Sequence, residues 1–219
     1  KGPVLLAGGR VAPDPPSLLG WTAFIQAELT RAAAAAPGRR ALPGRPRVPK
    51  TLTLFTMPLC PFGNAAVGAL MEGLAKGSVP AGVTVHIRYI VQASTNTPPA
   101  FRSLHGAAEW EEAARQKVIQ EYFPDKFAGY LARRALAPDS SLWDVAAREA
   151  GLDPDAIRTR FEEGKRFLLA DARLVEELGV TASPTFLWEN REISVGIEAL
   201  RRIPGFEKLP VSKTGACGQ

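Results

Sequence analysis

Cysteine is scarce in this chain, which has only Cys60 and Cys217. Two cysteines are too few for a disulfide scaffold, and with two histidines they cannot assemble a zinc site of the usual kind. No apolar run is long enough to span a membrane, and no signal peptide is visible. The chain opens on Lys1, as a processed product or a piece of a longer protein does, and a removed signal peptide would leave nothing to read. No internal repeat recurs at a fixed period, and Ala32 to Ala36 is the one low-complexity run. The net charge of +5 and pI near 9.5 are mildly basic, but the basic residues are scattered. Their one cluster, Arg39-Arg40 with Arg45 and Arg47, lies in a loop-like stretch, and no basic face alternates with aromatics. Nucleic acid is therefore not an expected partner.

What remains is ordinary globular material. With 219 residues, 46% hydrophobic and 22% charged, the chain can bury a sizeable core. Its organising stretch runs from Thr51 to Leu74. Thr51-Leu52-Thr53-Leu54-Phe55-Thr56 alternates polar and apolar side chains, the period of a half-buried strand. Met57-Pro58-Leu59 ends it, and Val67, Leu70, Met71 and Leu74 then recur at helical spacing. Cys60-Pro61-Phe62-Gly63 sits between the two, with Pro61 suited to the first helical position. A thiol there faces unpaired backbone N–H groups and the positive end of the helix dipole, which favour the thiolate that carries out disulfide exchange. A small buried cysteine at a strand end is the plain alternative.

Residues 1 to 49 are dense in proline and glycine and do not read as part of the core fold. Ser17 is a candidate cap for a helix from about Leu18 to Ala36, with Leu18, Trp21, Ile25 and Leu29 on one face. That helix either packs on the domain's own surface or docks a partner, such as a membrane-associated complex. After the Cys60 unit, Gly77 closes the helix and a second strand follows from Val83 to Val91. Strand, helix, strand forms a parallel, right-handed βαβ unit. His86 lies on this strand and reads as an ordinary strand residue. A helical region then runs from Ala107 to Phe123, restarts at Pro124 toward Leu136, and continues in further helices. Ser141 with Asp144 resembles a capping pair, Asp153-Pro154 opens a helix to about Glu163, and a last helix runs from about Lys165 to Leu178 before Gly179. Val180 to Pro184 leads into a hairpin, Thr185 to Trp188 and Arg191 to Val195, turned at Glu189-Asn190. A short helix near Ile197 and a tail carrying Cys217 end the chain.

This order, with Cys60-Pro61-Phe62-Gly63 at one end and Val180-Thr181-Ala182-Ser183-Pro184-Thr185 at the other, resembles the thioredoxin fold with an inserted helical domain, as in the DsbA-like disulfide oxidoreductases. The stretch Phe101 to Gly106, with Glu109, Arg115-Gln116 and Tyr122 to Phe127, is similar to a bacterial envelope subgroup. The resemblance spans roughly residues 50 to 206, with the insert at about 103 to 178 and residues 207 to 219 as a tail. It implies an α/β fold, Cys60 as nucleophile, and Pro184 as a cis residue that presents the backbone of Ser183 to an extended substrate. A plain strand-initiating proline is the alternative at position 184. It also implies protein thiols or disulfides, or a small-molecule thiol, as partners, no cofactor, and a periplasmic or otherwise extracytoplasmic location.

One departure from the family pattern matters more than the matches. Gly63 stands where the family carries its second motif cysteine, and the helical insert has no cysteine either, with Val118 and Arg160 in the stretches where one would be sought. A dithiol enzyme needs a second thiol to release a mixed disulfide. Three accounts follow: Cys60 works alone with a small-molecule thiol, Cys217 is the resolving thiol, or catalysis is lost and the fold serves as a structural or interaction subunit of a larger complex. From Pro204 to Cys217 is 14 residues, enough to span about 45 Å when extended. A metal-handling role through Met57 and Cys60 lacks the second thiolate and histidine that Cu(I) sites use.

Overall fold

The computed structural model describes residues 6–7, 10–11, 39–138, 140–211 and 215–218. The helix expected over Leu18 to Ala36 lies outside the described residues. In chain order the elements are β1 (Leu6–Ala7), β2 (Arg10–Val11), β3 (Arg39–Ala41), β4 (Thr51–Thr56), α1 (Pro61–Ala75), β5 (Thr84–Tyr89), β6 (Gln92–Ala93) and β7 (Phe101–Arg102). Five helices follow: α2 (Ala107–Tyr122), α3 (Pro124–Leu136), α4 (Trp143–Glu149), α5 (Pro154–Thr159) and α6 (Phe161–Leu178). The chain then forms β8 (Ala182–Ser183), β9 (Thr185–Trp188), β10 (Glu192–Val195), a 3₁₀ helix (Ile197–Arg202) and β11 (Cys217–Gly218).

A five-stranded sheet ordered β3-β10-β9-β4-β5 forms the centre. The β4–β5 pair is parallel, and β9 runs antiparallel to β4 and β10. Alternation along β4 sends Leu52 and Leu54 to one apolar cluster with Leu70, Phe186 and Leu200. Phe55 and Met57 belong to another, with Val175, Leu178 and Leu187. The strand is therefore covered on both faces, not one, because α6 lies over the side that Thr53 and Phe55 share. The polar Thr53 and Thr56 are buried with the rest. The helical insert has its own small core of Val118, Ile119, Tyr130, Ala147, Leu152 and Ile157.

A buried polar network joins insert to sheet. Asp171 on α6 accepts from the Arg88 guanidinium at 2.7 Å and from the Tyr89 backbone N–H at 3.1 Å. Lys117 on α2 stands 3.6 Å from the same carboxylate. Tyr89 donates its hydroxyl to Gln116 at 2.7 Å, Gln116 donates to Glu112 at 2.9 Å, and Tyr130 and Arg134 also donate to Glu112. Among the described residues no buried side-chain nitrogen or oxygen lacks a partner. Burial pushes the Asp171 carboxyl up and the Lys117 ammonium down, and each opposes that shift in the other.

Several boundaries differ from those the sequence suggests. Residues 39–41 belong to the core sheet: β3 pairs antiparallel with β10, Arg40 opposite Ile193, and Leu42 packs against the apolar cluster of Phe55 and Met57. An edge strand of three residues has too little alternation to announce itself. Ser141 caps nothing; Leu142 precedes α4 without a side-chain cap, and Ser140 Oγ accepts the Leu142 N–H instead, at 3.2 Å. The junction expected between about Glu163 and Lys165 falls earlier, at Arg160, which ends α5 and opens α6. Helix α6 already begins at Phe161 and runs through Gly164, where a Cβ would strike the Ala114 carbonyl oxygen of α2. The glycine marks a close helix crossing rather than a stop.

Replacing Asp171 with alanine takes the buried carboxylate from Lys117, which keeps only the half-exposed Glu121 carboxylate at 3.8 Å, and from the Arg88 guanidinium, and frees the Tyr89 N–H. Chemical denaturation should show a loss of about 3–5 kcal/mol for Asp171→Ala, and a loss under 1 kcal/mol would contradict the anchoring role.

Candidate functional site

The site forms where β4 stops and α1 starts. Cys60 donates its N–H to the Met57 carbonyl at 3.0 Å, closing the turn after β4. With φ −73° and ψ 121° it has the extended backbone of an N-cap residue, and Pro61 enters the helix directly after it. Its sulfur takes the capping role: the Gly63 N–H points at Cys60 Sγ from 3.3 Å. Asn64 braces the turn by donating its side-chain amide to the Pro58 and Cys60 carbonyls.

Cys60 is bonded to Cys217, with Cα atoms 6.2 Å apart across a sequence separation of 157. Both cysteines of the chain are therefore used, and the thiol expected to act alone has a partner in this state. The tail that brings Cys217 is a strand. β11 pairs antiparallel with β8, setting Cys217 opposite Ser183 and Gly218 opposite Ala182. Ahead of it, the Ile197 N–H donates to the Gly215 carbonyl at 3.1 Å, and the Gly215 N–H reaches Glu198 Oε2 at 3.3 Å. Gly215 has φ +121°, a region L side chains rarely adopt, and an added Cβ would lie 3.0 Å from the Phe62 ring.

Ser183 is fully buried at the centre of this arrangement. Its hydroxyl accepts the Met57 N–H at 3.0 Å and lies 3.5 Å from Thr56 Oγ1. Its carbonyl oxygen is 3.5 Å from Cys60 Sγ. The Ser183–Pro184 peptide bond is cis. The structure thus gathers Cys60, Pro61, Phe62, Gly63, Ser183, Pro184 and Cys217 at one place. Gly63 is not simply a cysteine position left empty: a Cβ there would collide with Ser183 Oγ and Thr56 Oγ1 and sit 3.3 Å from the Met57 carbonyl. The space next to the Cys60 sulfur on α1 is already filled by hydroxyls.

Two acidic residues belong to the site that the motifs alone do not reveal. Glu109, at the start of α2, is fully buried and accepts the Leu59 N–H at 3.0 Å. It also accepts from His105 at 2.8 Å and from the Ser103 hydroxyl. The insert therefore holds the residue just before Cys60. Glu198 is the second, through Gly215. Glu109 stands in the stretch similar to the envelope subgroup, which is the one available signal, whereas nothing in the sequence marks Glu198. Val118 and Arg160 take no part. Val118 is buried in the insert core, and the Arg160 guanidinium lies 5.1 Å from the Tyr122 ring centre. Met57 is fully buried in apolar surroundings, and no group of three or more metal-binding side chains converges among the described residues. Beyond the disulfide, a groove of about 930 Å³ runs between the loop at Ser94 to Thr97 and α6, and ends at Val180 and Thr181 beside β8.

No family model matches the chain, and no curated protein matches it. Solved structures do. The thiol-disulfide exchange protein alpha-DsbA2 from Wolbachia pipientis is 12% identical with a TM-score of 0.53, over 82% of this chain and 91% of that one. The DsbA disulfide interchange protein from Klebsiella pneumoniae is 13% identical with a TM-score of 0.50, over 74% of this chain and 84% of that one. The fold is the thioredoxin-like α/β fold with a helical insert that DsbA-type proteins have.

Two substitutions test this geometry. Gly63→Ala should lower stability by about 1–3 kcal/mol through overpacking against Ser183 and Thr56, as read by urea unfolding. Gly215→Ala should shift the Cys60–Cys217 couple toward the dithiol in a glutathione buffer, whereas Gly218→Ala, with open space around its Cα, should leave the equilibrium where it is in the parent chain.

Proposed function

We propose that this chain is a thiol–disulfide exchange protein acting on protein thiols or disulfides, with Cys60 as its motif cysteine and Cys217 as the redox partner that Gly63 cannot be. The observation that carries this reading is the disulfide itself, which joins the N-cap of α1 to a strand laid along the edge at Ala182–Ser183. A helix N-terminus stabilises thiolate, and a second thiol within bonding distance lets a mixed disulfide resolve. The tail pairing favours this dithiol account over one in which Cys60 acts alone with a small-molecule thiol. In the oxidising direction, a partner dithiol gives up two electrons and two protons as its own disulfide forms, and Cys60 and Cys217 end as thiols. A disulfide built into the working state suits an oxidising compartment, which supports a periplasmic or other extracytoplasmic location. No helix among the described residues is long and apolar enough to cross a membrane.

A second reading has its own support. Cys60 has no exposed surface beneath the tail, as in a purely structural disulfide holding a non-catalytic subunit together. One assay separates the two. Under the exchange reading, the oxidised full chain converts a reduced, unfolded test protein to its disulfide form, and Cys60→Ser abolishes the conversion. Equal rates for parent and variant would overturn Cys60 chemistry, and no conversion by the parent would favour the structural subunit.

A further inference from the structure

On the exchange reading above, we infer that a partner thiol attacks Cys217 and not Cys60, so that the tail cysteine carries the mixed disulfide and the motif cysteine is the leaving group. Access decides this first. Cys60 is fully buried, closed in by α1 on one side, the Ser183 carbonyl on another and β11 over the top. Cys217 is partly exposed, on a strand whose flanking Ala216 and Gly218 face solvent. Of the two bonded cysteines only Cys217 has exposed surface, so an attacking thiolate meets it before Cys60.

Leaving-group chemistry points the same way. Exchange is faster when the expelled sulfur is the more stable thiolate. Expelled from Cys217, the Cys60 sulfur returns to the start of α1, where the Gly63 N–H already points at it from 3.3 Å and the helix dipole favours negative charge. Cys217 has no helix terminus of its own. The step balances simply: the partner thiolate forms a bond to Cys217 Sγ, the Sγ–Sγ bond breaks, and its electron pair leaves with Cys60 as thiolate. If the partner holds a second thiol, that group then attacks the partner's own sulfur, gives up its proton to solvent, and expels Cys217.

The tail does not have to leave its seat for the first step. Its contacts to Ser183, Ile197 and Glu198 are made by backbone atoms of the tail and not by the Cys217 sulfur. The mixed disulfide therefore stays beside the Cys60 thiolate, which can re-close the ring if the partner has no second thiol. This favours dithiol partners over monothiols, with Cys217 as the sulfur that reports the encounter.

The test uses the oxidised full chain and glutathione as the attacking thiol. Samples are quenched with acid and maleimide early in the reaction, digested without reductant, and mapped by mass spectrometry. The expected result is glutathione on Cys217 and maleimide on Cys60, at least tenfold more abundant than the reverse. Glutathione mainly on Cys60, or equally on both, would overturn the inference while leaving exchange intact. A disulfide that stays closed at glutathione concentrations that open it in the urea-unfolded chain would overturn the exchange reading itself, and this inference with it.

Discussion

Ser183 must lie against the start of α1, and most of the site follows from that one contact. Its hydroxyl holds the Met57 N–H, its carbonyl sits beside the Cys60 sulfur, and its backbone pairs with the strand that delivers Cys217. So close an approach leaves no room for a side chain at position 63, which is why glycine stands there. The sulfur bonded to Cys60 then comes from elsewhere, and the same Ser183 edge seats the tail that supplies it. A missing cysteine and an added strand are two consequences of one packing constraint.

The surrounding structure keeps that contact in place from two directions. On one side, the Glu109 side chain reaches from the insert to the Leu59 N–H, so the turn before Cys60 is held by a buried carboxyl oxygen rather than by sheet pairing alone. On the other, Asp171 ties α6 to Arg88 and Tyr89 at the end of β5. The helical insert is thus more than a cover. It contributes the carboxyl groups that hold the C-terminal ends of the parallel strands β4 and β5, where the site forms. The disulfide adds a longer-range tie: closing a separation of 157 residues contributes about 5 kcal/mol in the chain-entropy picture, by restricting the unfolded chain.

The parts of the fold legible in the sequence are those with a local period or a local stop signal. The Thr51 to Thr56 alternation, Pro61 after Cys60, the Asp153-Pro154 start and the Glu189-Asn190 turn each act within a few residues, and each of these strand, start and turn positions stands where its pattern places it. Other features carried no such mark. Arg39–Ala41 and Cys217–Gly218 are strands of three and two residues, too short for a period to show. The sequence pattern places the junction of the last two helices near Glu163 and Lys165 instead of Arg160, because Gly164 between them looks the same whether it ends a helix or admits a neighbouring one. Glu109 and Glu198 look like surface acids until the chain folds and buries or aims them.

The sequence by itself determined that a cysteine caps the first helix of a βαβ unit, that a Ser-Pro-Thr loop follows the helical insert, and that position 63 lacks the second thiol. These are properties of neighbouring residues and of chain order. Only the tertiary structure decided that Cys217 is the partner, that it arrives on a strand opposite Ser183, and that the tail leaves Cys60 buried and Cys217 in reach of solvent. Local spacing is blind to such facts, because a pairing across 157 positions depends on the space left at Gly63 and on the unpaired edge at Ala182–Ser183, and neither exists until the sheet and the helix have packed.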